Sequence, residues 1–124
     1  MLTKRAVGKL AFEGTPENVS IIVKSVLPLI GISFVGEKVV SEKPRIIEIY
    51  GKCGFSMKSY GEKVEIKVTE IDDGQSLIEA ESKCVDSDQL FDYGKNKKNL
   101  ENLFGELKKQ LKPTTPVYLE EKRL

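Results

Sequence analysis

The chain is 124 residues long, contains no histidine and no tryptophan, and carries 20 basic against 19 acidic residues for a net charge of +1. That length suits a single core, the missing histidines remove the commonest general base, and the near-neutral balance gives no global attraction to nucleic acid or an anionic membrane, so either partner would need a local patch. No apolar run approaches the ~20 residues that cross a bilayer, and the start holds no signal-peptide stretch, so a soluble, cytoplasmic protein is expected.

Residues 5 to 13 alternate as a strand, with Ala6, Gly8, Leu10 and Phe12 on one face. Thr15, Pro16 and Glu17 then read as a helix start: a hydroxyl to cap a free amide, a proline that needs no donor, and a carboxylate suited to the helix dipole. The helix is predicted to run to about Ile30, with Val19, Ile22, Val23, Val26 and Ile30 on one stripe and a kink at Pro28 before Gly31 offers a left-handed exit. Ile21, Leu27 and Leu29 widen that stripe, which suggests a thick core or a lined cavity.

Beyond Gly31 a meander of strands is predicted at about 32 to 41, 45 to 52, 55 to 70 and 76 to 85. Val64, Ile66 and Val68 alternate with charged residues, as do Ile78, Ala80, Ser82 and Cys84, so this hairpin should have one dry and one wet face. Pairing Lys67 with Glu81 and Glu65 with Lys83 puts opposite charges together and predicts Val64 opposite Cys84. A slip by two would instead oppose Glu65 to Glu81 and Lys63 to Lys83. The buried parity changes near Tyr60-Gly61-Glu62, where a bulge or bend is expected.

Leu100, Leu103, Phe104, Leu107 and Leu111 form the apolar stripe of a second helix, expected on the sheet's dry face. Pro113 and Pro116 bar further helix. The expected organisation is therefore one α+β domain over residues 1–112, with 113–124 as a mobile extension whose Val117, Tyr118 and Leu119 could dock on an edge or a partner.

The order strand, helix, four strands, helix is a β-α-β4-α arrangement: a curved antiparallel sheet with two helices packed on one face. It resembles one repeat of the TATA-binding protein and, more loosely, the helix-grip domains that hold lipids and steroids. Ser59-Tyr60-Gly61-Glu62, Ser82-Lys83-Cys84, and Gln89 with Asp92-Tyr93-Gly94-Lys95-Asn96-Lys97-Lys98-Asn99 resemble a group of small microbial α+β domains of unassigned chemistry, with tryptophan at the positions of Tyr60 and Tyr93. That resemblance covers roughly residues 50 to 105 and implies a fold, not an activity.

The Asp92 to Asn99 run has two readings. Free amides at a helix start with Lys95, Asn96, Lys97 and Lys98 could hold an anion or a nucleic acid; alternatively Asp92 caps the helix and the asparagines satisfy buried carbonyls. Tyr60, Tyr93, Phe55 and Phe91 could ring the mouth of a pocket between the curled sheet and the helices, or simply rim the core. Gly51-Lys52-Cys53-Gly54 lacks the glycine spacing and hydroxyl of a phosphate loop and reads as a hairpin turn. Cys53 and Cys84 lie 31 apart with no C-x-x-C and no histidine, which argues for free thiols and against zinc. No calcium loop or facing carboxylate pair is visible, so no metal and no cofactor is expected. Together these features favour a non-enzymatic binding domain for an apolar small molecule or a protein partner. Nucleic-acid binding by the curved sheet or the Lys95 to Lys98 region, and an enzyme site assembled only in three dimensions, are the alternatives.

Overall fold

The computed structural model describes residues 5–54, 61–72, 74–85 and 94–122. Six antiparallel strands, β1 (Arg5–Glu13), β2 (Ile32–Glu42), β3 (Arg45–Cys53), β4 (Glu62–Asp72), β5 (Gln75–Cys84) and β6 (Tyr118–Lys122), form one curved sheet in the order β2-β3-β4-β5-β1-β6. Two helices, α1 (Pro16–Val26) and α2 (Lys95–Gln110), pack on one face of it. This is the α+β architecture that the periodicities predict, with one strand more.

Local chemistry sets the element ends. The Thr15 hydroxyl accepts from the Asn18 amide at 3.2 Å, and Pro16 takes the first helical position. Pro28 ends α1 and starts a single 3-10 turn, after which Gly31 leaves the helix at φ +77°. The dry face of the sheet, including Leu10, Phe12, Ile49, Ile66, Val68 and Ile78, meets Val19, Val23, Leu100, Leu103, Phe104 and Leu107 in one core. Of the residues that widen the α1 stripe, Leu27 is buried, but Ile21 and Leu29 face water. Those two therefore line no interior cavity.

The β4–β5 register is the slip by two: Glu65 opposes Glu81, Lys63 opposes Lys83 and Val64 opposes Ser82. The charge-matched register expected from the sequence is wrong, and the reason lies on the other face. It would have set Glu70 against Ile78 on the dry side, whereas the observed pairing sets Val68 against Ile78 and leaves Glu70 exposed. Burying an isoleucine properly is worth about 1.5–3 kcal/mol, more than the 0.2–1 kcal/mol typical of a cross-strand charge pair. An irregularity between Glu70 and Asp72 closes the turn.

The segment beyond residue 112 adds the sixth strand. The Thr114 amide donates to the Ala11 carbonyl at 2.8 Å, the Ala11 amide donates to the Thr115 hydroxyl at 3.0 Å, and Tyr118–Lys122 pairs along β1. This is the edge docking left open by Val117, Tyr118 and Leu119; without it β1 would end the sheet with bare backbone groups. Gly8 makes the closure possible, because a Cβ there would stand 2.7 Å from Phe104 Cε2 and 3.0 Å from Leu119 Cδ1. The bend expected at Tyr60-Gly61-Glu62 falls partly outside the described residues. Gly61 itself has φ +99°, and a Cβ on it would lie 2.8 Å from the Cys53 carbonyl oxygen.

Candidate functional site

The even positions of β4 and β5 are apolar along most of their length, but at one end they turn polar. Cys53, Glu62 and Cys84 pair in a row across β3, β4 and β5 on the helix-facing side, with Ser82 one step inward beside Val64. The first turn and a half of α2 lies over them. Asn96 and Asn99, three apart, share the inward face of that helix with Leu100 and Leu103. Glu62, Ser82 and Asn96 are each at most 1% exposed.

These side chains form a connected hydrogen-bond chain. Asn96 Nδ2 donates to Cys84 Sγ at 3.5 Å, and the Ser82 hydroxyl donates to Asn96 Oδ1 at 2.7 Å. Asn99 Nδ2 then donates to Ser82 Oγ at 3.1 Å and to Glu62 Oε1 at 3.3 Å. Burying polar groups is tolerable only when they are paired in this way, and in a low-dielectric interior such a chain is mutually polarising.

The two cysteines are free. They flank Glu62 on strands two apart, roughly 10 Å across the sheet, beyond the Cα separation a disulfide can bridge. Burial pushes the Cys53 thiol up to about 11, the Glu62 carboxylate adds to that effect, and Lys95 opposes it. Cys53 is thus protonated at neutral pH and is a poor nucleophile.

Of the residues singled out from the sequence, Tyr60, Tyr93, Phe55 and Phe91 lie outside the described residues. Asn96 turns inward to Ser82 and Cys84 rather than outward, Lys95 is half-buried, and Lys97 and Lys98 are exposed. Asp92 lies outside the described residues; the N-cap of α2 is Gly94, at φ +76° with no side-chain cap. Glu62, Ser82, Cys84 and Asn99 carry the cluster without having been chosen as site residues. Polar character at dry-face parity marks Glu62, Ser82 and Cys84, whereas Asn99 comes from α2 and has no such mark; all four belong to the segments that carry the resemblance to the small microbial domains.

On the opposite, outer face a groove of about 350 Å³ runs over β1, β3, β4, β5 and β6 and is lined by Lys9, Glu48, Lys67, Glu79 and Tyr118 among others. In one row its charges alternate across the strands, Glu48 beside Lys67, Lys67 beside Glu79, Glu79 beside Lys9; in the next, Glu65 faces Glu81, which pairs with Arg5 at 3.3 Å. Paired charges open to water do not make an enclosed acid–base couple. Among the described residues no group of three or more His, Cys, Asp or Glu side chains is placed to hold a metal ion, and no helix is long and apolar enough to cross a membrane.

No protein-family model and no curated protein matches the chain. Among solved structures it is similar to a START superfamily protein from Mycobacterium smegmatis, with TM-score 0.56 and 9% identity over 86% of this chain and 97% of that one. A conserved protein from Geobacillus kaustophilus gives TM-score 0.46 and 12% identity over 86% and 93% of the two chains, too loose a likeness to bear on the fold. At such identities the first likeness is one of fold: a curved antiparallel sheet with helices on one side, as in helix-grip proteins.

Proposed function

We propose that this chain is a non-catalytic binding domain for a small, mainly apolar molecule bearing a polar group, seated where the sheet meets the start of α2. The observation that carries the reading is the buried chain Cys84–Asn96–Ser82–Asn99–Glu62 at one end of an otherwise apolar interface. Stability alone does not call for it, since well-packed apolar side chains would serve there as well or better. A hydrogen-bonding anchor beside apolar surface is the usual construction of a small-molecule site. The fold supports the same reading, because helix-grip domains hold lipids and steroids between sheet and helix.

Native mass spectrometry of freshly purified protein, followed by titration with a dansyl-labelled fatty acid, tests it. The expected result is a copurified small molecule or saturable probe binding, weakened about tenfold or more by Asn99→Ala, the loss typical of a hydrogen bond to a charged group. Ligand-free protein together with no saturable probe binding would end the proposal. A protein partner is the second reading, favoured by the exposed Phe34, Val35, Val39 and Val40 on edge strand β2.

A further inference from the structure

The β4–β5 register has an effect that spans the sheet. Reading the paired residues outward from Lys63 and Lys83, the same row holds Lys52 on β3, Arg5 on β1 and Lys122 on β6. Five basic side chains thus stand side by side on the outer face, across strands spaced ~4.8 Å, a row about 19 Å long. Like charges directly opposite one another oppose sheet formation, and here the pattern repeats at each step of five consecutive strands. Arg5 pairs with Glu81 at 3.3 Å and Lys122 with Glu120 at 3.5 Å, both from the next row inward. Lys52, Lys63 and Lys83 make no ion pair among the described residues.

This row lies at the end of the sheet where α2 begins, so Lys95, Lys97 and Lys98 rim the same end on the helix side. The other end is mixed: Glu13, Glu42, Glu70 and Asp72 stand there with Lys43, Arg45 and Lys112, and Arg45 pairs with Glu42 and Lys112 with Glu13. In a chain of net charge +1, Lys52, Lys63 and Lys83, without an ion pair among the described residues, are thus gathered at the end where α2 begins. Leu29, Phe34, Val35 and Val85 expose apolar side chains at or near the same end.

We propose that this end docks on an anionic lipid bilayer, with the Lys52–Lys63–Lys83–Arg5–Lys122 row and the lysines of the α2 start facing the headgroups. Charge complementarity selects the occupant. A cationic rim around one end of a molecule matches a plane of negative charge, and exposed apolar side chains beside it suit the headgroup–acyl boundary. A nucleic-acid strand laid across the outer face would instead meet Glu65, Glu81 and Glu120 in the next row, and the basic row contains no aromatic platform for stacking bases. The inference stands apart from the ligand proposal, since headgroup contact does not require the buried cluster.

The test is co-sedimentation with vesicles of phosphatidylcholine mixed with phosphatidylserine, against pure phosphatidylcholine vesicles, at low and high salt. Binding is expected on the anionic vesicles only, weakening as salt rises. The triple variant Lys52→Gln, Lys63→Gln, Lys83→Gln should lose about 100-fold in affinity, at about fivefold per lysine near an anionic surface, and still bind the dansyl-labelled fatty acid as the wild type does. Lys43→Gln with Lys112→Gln, at the opposite end, should bind vesicles as the wild type does. Equal affinity for both vesicle types, or an unchanged triple variant that circular dichroism shows to be folded, would overturn the proposal. So would binding confined to a single-stranded RNA oligonucleotide.

Discussion

The interface between α2 and the sheet has two halves that obey different physics. Toward its end, Leu103, Phe104 and Leu107 sink into Ala6, Leu10 and their neighbours, where packing is non-directional and many apolar side chains of similar volume would do. Toward its start, Asn96 and Asn99 meet Ser82, Cys84 and Glu62 through directional bonds in which each partner fixes the next. The first half holds the domain together. The second contributes little net stability and a great deal of specification, which is the property a binding site needs.

That contrast can be broken by mutation, most forcefully in the apolar half. Leu103→Ala should cost about 2–5 kcal/mol in urea unfolding, because the side chain is fully buried and its removal leaves a void. In the polar half, Asn96→Ala should cost about 1–3 kcal/mol by stranding the Ser82 hydroxyl in the interior. Replacing the whole cluster, with Glu62→Leu, Ser82→Ala, Asn96→Leu and Asn99→Leu together, sharpens the comparison: stability should be unchanged or higher while binding of the dansyl-labelled fatty acid is lost. A cluster variant that is both stable and still binds the probe would show the polar half to be purely architectural.

Titration gives a finer cut. The Cys53 thiol is raised from 9.0 to about 11, so the folded state favours the protonated form. Its contribution is complete below pH 9 and declines as the pH rises from about 9 to about 11, and Cys53→Ser should remove that decline from the pH profile of thermal unfolding. The smallest effect is local. Thr15→Ala should cost about 1 kcal/mol through the lost cap of α1, without touching either half of the α2 interface.

Much of this architecture is legible along the chain. Thr15, Pro16, Pro28 and Gly31 bound the first helix through their own backbone chemistry, and the alternation in residues 5 to 13 and 62 to 84 assigns strands and faces. The site is less legible. Ser82 and Cys84 declare themselves by sitting at dry-face parity, but their partners Asn96 and Asn99 arrive from a helix, and hydrogen-bond partners distant in sequence leave no periodic trace. Five residues, Tyr118 to Lys122, carry too little alternation to announce a sixth strand that depends on an available edge of β1.

What the sequence determined by itself is what each residue and its near neighbours can settle: helix caps and breaks, strand periodicity, the absence of histidine chemistry, and two free thiols. Register was decided only in three dimensions. A two-residue slip preserves parity, and so is invisible to pattern; it was chosen by how Val68, Ile78 and Glu70 fit a core assembled from six strands and two helices. The same choice set Lys52, Lys63, Lys83, Arg5 and Lys122 in one row, giving a chain with almost no net charge an end lined with basic side chains.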